Sequence, residues 1–206
     1  MQSSNNNEIR ILALAGSFRS GSFNQALIQE AHELASEHIR IDDFDLRTVP
    51  LYDGDLEAAG DPEEVAALKR VIARADALLI ATPEYNGSVP AVLKNAIDWA
   101  SRRTPDSPLR GKPVAVMGAS PSPGGTRRAQ AHLREILGRT GADVIDEPSL
   151  YLARAFEHVT DGRLTSEDAR EAVREIVGWL VDTVVDTVAV NSAEAVNSAE
   201  AVRVAG

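Results

Sequence analysis

Three times along this 206-residue chain a mostly apolar run of strand length stops at a polar, turn-forming loop, and a segment of helical period follows. The runs are Ile9-Arg-Ile-Leu-Ala-Leu-Ala15, Ala77-Leu-Leu-Ile-Ala-Thr82 and Pro113-Val-Ala-Val-Met-Gly-Ala119; the loops begin at Gly16, Pro83 and Ser120. A strand with one wet face alternates polar with apolar residues. Strands that do not alternate are buried on both faces, which is the situation in a parallel sheet covered by helices on either side. After the first loop Leu27, Ala31, Leu34 and Ala35 share one helical face; Leu93, Ala96, Ile97 and Ala100 do so after the second, and Ala129, Leu133, Ile136 and Leu137 after the third.

Two further strands fit Ile39–Phe44 and Asp143–Leu152, a loop rich in turn formers runs through Pro50, Asp53, Gly54 and Gly60, and a helix starts near Asp61-Pro62. A long last helix carries Val173, Ile176, Val177, Leu180 and Val184. The alternation predicts an α/β protein, a doubly wound five-stranded parallel sheet with helices on both faces. In such sheets ligands bind beyond the carboxyl ends of the strands, where strand order reverses. Residues 1–8 read as a flexible N-terminus and 9–190 as one domain. Residues 191–206 read as a disordered or helically extended tail, since Asn191–Val196 is repeated identically at Asn197–Val202 without a coherent apolar face.

With 44% hydrophobic residues the chain can bury a core without staples. Its 0 cysteines exclude disulfides, thiolate-ligated metals and cysteine nucleophiles. The 4 histidines (His32, His38, His132, His158) lack i,i+3 or i,i+4 spacing, so no metal site is expected. No apolar stretch is long enough to span a bilayer and no signal peptide is visible, so a cytoplasmic protein with no membrane contact is expected. A net charge of −10 disfavours nucleic acid. Residues 94–139 nevertheless hold 9 basic against 3 acidic side chains, a region to which a small anion can be steered.

The loop Gly16-Ser-Phe-Arg-Ser-Gly-Ser-Phe-Asn24 places Ser17, Ser22 and Asn24 as donors and Arg19 as a charged fork at a helix start, where free amides and the helix dipole attract an anion. This reads as a phosphate cradle. There is no Gly-Lys-Ser/Thr of a P-loop and no G-x-G-x-x-G. The loop Pro83-Glu-Tyr-Asn-Gly87 offers backbone groups and one aromatic against which a heteroaromatic ring can stack, although a tight turn would favour the same residues. Glu84 has no visible partner for acid–base work. The loop Ser120-Pro-Ser-Pro-Gly-Gly125, leading into Arg127-Arg128, completes a three-sided pocket. No Ser–His–Asp order supports covalent hydrolysis.

Together the three loops resemble the NADPH-dependent FMN reductase family of flavodoxin-like proteins, which includes bacterial chromate, quinone and azo-dye reductases. The likeness rests on Gly16–Asn24, on Pro83-Glu-Tyr-Asn-Gly-Ser-Val-Pro-Ala-Val-Leu-Lys-Asn-Ala-Ile-Asp-Trp99, and on Gly125-Thr-Arg-Arg-Ala-Gln-Ala-His-Leu-Arg134. It covers residues 9–185. The resemblance implies that Ser17, Arg19, Ser22 and Asn24 hold the FMN phosphate with backbone from Phe23. Pro83, Glu84, Tyr85, Asn86 and Gly87 would line the isoalloxazine, and Ser120 with Pro121 would close the pocket. It implies an oxidoreductase passing hydride from NADPH or NADH through flavin N5 to a quinone-like, azo, metal-oxyanion or free-flavin acceptor in ping-pong fashion. No catalytic side chain is then needed.

A homodimer or homotetramer is also implied, and Trp99, off the Leu93–Ile97 face, is expected at a subunit contact. Arg102, Arg103, Arg127 and Arg128 are candidates for the 2′-phosphate of NADPH. The Ser-Pro-Ser-Pro run and the doubled arginine depart from the family pattern. A flavodoxin-like electron carrier, a flavin-binding regulator without turnover, and a nucleotide module without flavin are alternatives; colour and NADPH oxidation separate them.

Overall fold

A computed structural model describes residues 8–102 and 106–204, with residues 191–204 described for their backbone. Strands and helices alternate in the order β1 (Ile9–Ala15), α1 (Phe23–His32), β2 (Ile39–Asp43), α2 (Gly54–Ala59), α3 (Glu63–Arg74), β3 (Ala77–Ala81), α4 (Ala91–Ala100), β4 (Pro113–Ala119), α5 (Arg127–Arg139), β5 (Asp143–Val144) and β6 (Leu150–Leu152). A two-stranded antiparallel hairpin, β7 (Val159–Thr160) and β8 (Arg163–Leu164), precedes α6 (Glu167–Val204). The main sheet is parallel throughout, in the order β2-β1-β3-β4-β5, and β6 also pairs with β4. Ile11 sits opposite Ala77 and Ala15 opposite Ala81 in the central pair. The chain leaves β1 toward β2 on one side and returns to β3 on the other, so the connections diverge between the carboxyl ends of β1 and β3.

The two-residue period of each strand sorts the core into two layers. Ile11 and Ala13, Ala77, Leu79 and Ala81, and Ala115, Met117 and Ala119 face α1 and α6. Leu12 and Leu14, Leu78 and Ile80, and Val114 and Val116 face α3, α4 and α5. The stripe predicted on the last helix is the stripe that packs: Val173, Ile176, Val177 and Leu180 are at most 2% exposed. Each such side chain contributes roughly 1.5–3 kcal/mol relative to exposure. A salt-bridge cluster closes the same layer, with Arg170 of α6 at 2.9 Å from the buried Glu30 of α1. That ion pair holds the Arg170 guanidinium above its ordinary pKa, chiefly through the hydrogen bond to Glu30.

Three expectations change. The fifth strand is not continuous over 143–152 but lies on β4 as two pieces, β5 and β6, joined by Ile145–Ser149. Pro148 lacks the N–H that an unbroken ladder would need there. The segment read as loop after Asp53 contains a short helix, α2, whose start Asp53 caps by accepting from the Asp55 amide at 2.8 Å. Trp99 makes no outward contact. It is 0% exposed, donates Nε1–H to the Pro50 carbonyl at 2.9 Å, and meets Tyr52 edge-on with ring centroids 4.9 Å apart. Asn95 fixes the same stretch, accepting from the Tyr52 amide at 2.8 Å and donating to the Pro50 carbonyl at 2.9 Å. The chain after β2 folds back over α4 and covers a ring that would otherwise need a partner.

Candidate functional site

At the β1/β3 divergence the three predicted loops converge on a cavity of about 460 Å³, within the range of small-molecule sites. Its wall takes in Ser17, Arg19, Ser22, Phe23 and Asn24 from the first loop, Pro83, Glu84 and Tyr85 from the second, and Ser120 and Pro121 from the third. Ala119, the last residue of β4, also lines it and was not singled out from sequence. Asn86 and Gly87 form a turn beyond the wall.

The first loop turns sharply because Gly16 has no side chain. A Cβ there would lie 2.6 Å from a Leu93 methyl, 2.8 Å from Pro83 and 2.9 Å from Pro90, so only glycine lets β1 run this close to the second loop. Ser22 is the N-cap of α1, its Oγ accepting from the Gln25 amide at 3.4 Å, which leaves its O–H free to donate. Among the described residues, no protein acceptor takes the Phe23 or Asn24 amide, and Arg19 has no carboxylate partner; its guanidinium rests 5.4 Å from the centroid of Phe23. Amides, hydroxyl and guanidinium together form a donor set without an acceptor, at the positive end of a ten-residue helix. Such a set fits a phosphate.

Asn24 has a different task. Its side chain donates to the Ala119 carbonyl at 2.9 Å and accepts from the Ala119 amide at 3.0 Å, a buried two-bond strut from α1 to the end of β4. One amide proton remains for a ligand.

In the second loop Tyr85 and Ser88 exchange backbone hydrogen bonds of 3.1 and 3.0 Å around Asn86 and Gly87, whose φ angles are 51° and 72°. This is the Asn-Gly turn that favours positive φ at both central positions. It leaves Tyr85 52% exposed at the cavity mouth, a free aromatic face. Glu84, which also lines the cavity, reaches across to α5, its Oε2 accepting from the backbone amides of Arg128 at 3.0 Å and Ala129 at 3.2 Å. Ser88 adds a second tie to α5, with its Oγ 3.1 Å from Nδ1 of His132. In the third loop the Ser120 amide donates to the Leu152 carbonyl at 2.9 Å, and its Oγ accepts from the Ser122 amide at 3.1 Å.

The arginines proposed for a 2′-phosphate separate. Arg102 pairs with Glu57 at 3.1 Å and lies over Tyr52, so it is held by its own chain. Arg103 lies outside the described residues. Arg127 stacks on Tyr151 at 4.5 Å, while Arg128 remains exposed beside Gly87. Beside Arg102, the Tyr52 hydroxyl donates to Glu57 at 2.9 Å; this bond lowers the Glu57 carboxyl and raises the Tyr52 phenol from their ordinary pKa values. Among the described residues no group of three His, Asp or Glu side chains is placed to hold a metal, and no helix is long and apolar enough to cross a membrane.

A parallel 2-1-3-4-5 sheet with a phosphate-ready helix start and an aromatic-edged cavity at the β1/β3 crest defines a flavodoxin-like nucleotide-binding protein. The family model for NADPH-dependent FMN reductases matches residues 9–157, and the chain belongs to that family. It is an NAD(P)H-dependent oxidoreductase of the FMN-reductase and quinone-reductase kind, with FMN as cofactor and a reduced nicotinamide nucleotide as co-substrate. Over 171 residues it is 44% identical to an NAD(P)H-dependent FMN reductase of Pseudomonas aeruginosa, covering 82% of this chain and 91% of that one. A 2-hydroxy-1,4-benzoquinone reductase of Burkholderia is 40% identical over 179 residues, 84% of this chain and 97% of its own. Among solved structures, the flavoenzyme NAD(P)H:(acceptor) oxidoreductase FerB from Paracoccus denitrificans superposes with a TM-score of 0.78 at 34% identity, covering 86% of this chain and 98% of that one.

Proposed function

We propose that the cavity between the three loops is the FMN site of a cytoplasmic reductase that transfers electrons by a ping-pong mechanism. The observation that carries this reading is the donor set at the start of α1, where Arg19, the Ser22 hydroxyl and the Phe23 and Asn24 amides line the cavity without a protein acceptor among the described residues. In this reading Ser17, Arg19 and Ser22 hold the terminal phosphate, and Asn24 contributes its remaining amide proton. Pro83, Glu84 and Tyr85 border the ring from one side and Ser120 with Pro121 from the other, while Asn86 and Gly87 act by setting the turn that presents Tyr85. FMN, when bound, supplies the chemistry by accepting a hydride at its N5 and passing the electrons on. The chain's own part is to orient the ring, exclude water and supply fixed charge.

In this reading donor and acceptor share the cavity beside the exposed Tyr85 and take turns. Quinone-like compounds are the proposed acceptors, with azo compounds, metal oxyanions and free flavin in the same place, and NADPH is favoured through Arg128 and Arg127. A homodimer or homotetramer is proposed on the family likeness and no longer on Trp99. Titration of FMN into the wild-type chain and into Arg19→Ala tests the site: loss of hydrogen bonds to a charged group should weaken binding by roughly 1.5–3 kcal/mol, about ten- to a hundredfold or slightly more. Unchanged affinity would sink the assignment. A matrix of initial rates with both nicotinamides and a quinone tests the shared cavity. Parallel double-reciprocal lines are expected, and intersecting lines would reject alternation.

A further inference from the structure

The start of α5 has a cap that its own sequence does not supply. Thr126 precedes the helix but makes no side-chain cap. Its Oγ1 is occupied instead, accepting from Gln130 at 2.9 Å in a fully buried pair. The first turn of α5 holds Arg127 and Arg128 and no acid, so nothing within the helix offsets its positive end. The acid comes from a residue more than forty positions earlier in the chain, Glu84, whose Oε2 accepts from the second and third amides of the helix.

Glu84 also lines the cavity, on the loop that presents Tyr85. One carboxylate therefore does two things. It joins the second loop to the element that follows the third, and it sets the negative charge of a cavity-wall residue against the positive end of α5. We propose that Glu84 is a positioning residue for the flavin cavity, clasping the second loop to α5 and fixing the charge of the wall between them. The proposal rests on the reading of this cavity as the FMN site.

Its two halves are separable by substitution. Glu84→Ala removes both acceptor and charge; Glu84→Gln keeps an amide oxygen that can still accept from the Arg128 and Ala129 amides but removes the charge. Reduction adds negative charge to the bound flavin, so a carboxylate in the wall disfavours the reduced form, and its loss should raise the potential.

The experiment compares the full-length wild type, Glu84→Ala and Glu84→Gln by amide hydrogen exchange, FMN titration and the midpoint potential of bound FMN. In Glu84→Ala the Arg128 and Ala129 amides should exchange faster and FMN should bind about tenfold more weakly. In Glu84→Gln those amides should stay protected and affinity for oxidised FMN should fall by less than in Glu84→Ala. The ratio of reduced to oxidised FMN affinity should rise about tenfold, an upward shift of about 30 mV for a two-electron couple. Unchanged exchange in Glu84→Ala would overturn the clasp. An unchanged potential in Glu84→Gln would overturn the fixed charge, and this variant keeps the test open if the alanine variant does not fold. If Arg19→Ala binds FMN as tightly as wild type, the cavity reading fails and the potential half with it, whereas the exchange measurement judges the clasp by itself.

Discussion

The loop after β1 and the loop after β3 face each other across one cavity and dispose of their polar groups in opposite ways. Among the described residues, Arg19, the Ser22 hydroxyl and two helix amides of the first loop have no protein acceptor. In the second, Tyr85 and Ser88 close a hairpin turn, Glu84 is bound to α5, and Ser88 reaches His132. A group that must meet a ligand is left open, and a group already bonded sets the distance across which the ligand must fit. Holding the rigid side in place before binding lowers the ordering cost of the open side. In the proposed site the first loop supplies affinity, and the second supplies shape.

The contrast is most exposed where the two loops touch. Gly16→Val adds a side chain to a place where even a Cβ comes within 2.9 Å of two proline rings and a leucine methyl. Neither ring can rotate aside, and the overpacking should cost about 3 kcal/mol of stability in urea unfolding. A variant as stable as wild type would show that the loops yield to each other.

Asn24→Ala sharpens the comparison from within the first loop, since Asn24 is the side chain there that is already bonded at both ends. Its loss leaves the buried Ala119 N–H and C=O without partners, for about 2 kcal/mol of stability. Arg19→Ala should change stability by less than about 0.5 kcal/mol, because its side chain is exposed. Equal stability losses in the two variants would erase the distinction between bonded and open groups.

The smallest effect lies away from both loops and serves as a control. The Glu57 carboxyl is held below its ordinary value of 4.5 chiefly by the Tyr52 hydroxyl. A lowered carboxyl favours the folded state above that value and loses the contribution as pH falls through the folded pKa. Tyr52→Phe should therefore flatten the acid limb of the stability profile below about pH 4.5 while FMN affinity is unchanged. A variant whose acid limb matches wild type would remove the hydrogen bond as the cause, and a change in FMN affinity would show that the loop over α4 communicates with the cavity.

Much of this arrangement is legible in the sequence because burial on both faces writes itself as a nearly continuous apolar run. β1, β3 and β4 lie where those runs lie, and the polar loops after them converge as their placement at strand ends requires. Ten of the twelve residues expected at the site line the cavity. The missed features depend on pairings between distant segments. Nothing local marks Glu84 as the cap of α5, or Asn24 as a strut to Ala119, since each partner is a backbone group that carries no side-chain signature. Trp99 was misassigned for the same reason: its helical angle put it off the sheet-facing stripe, and only the return of Pro50–Tyr52 over α4 supplies its cover. The break between β5 and β6 does carry a local mark, Pro148, which one long strand over 143–152 does not accommodate.

The two layers of the core differ in one respect that bears on how such a chain can drift. On the side of α1 and α6 the three central strands present Ala13, Ala77, Ala81, Ala115 and Ala119 between Ile11, Leu79 and Met117, and on the other side leucines, isoleucine and valines. Alanine under α1 acts as a thin shim, setting how near the start of that helix rides to the sheet and hence where its open amides stand. An added methylene beneath α4 or α5 meets side chains that can repack; one beneath α1 should lift the helix start proposed to hold the phosphate. Substitutions of equal size should therefore be filtered unequally, tolerated as changes of packing on one side and removed as changes of cofactor affinity on the other.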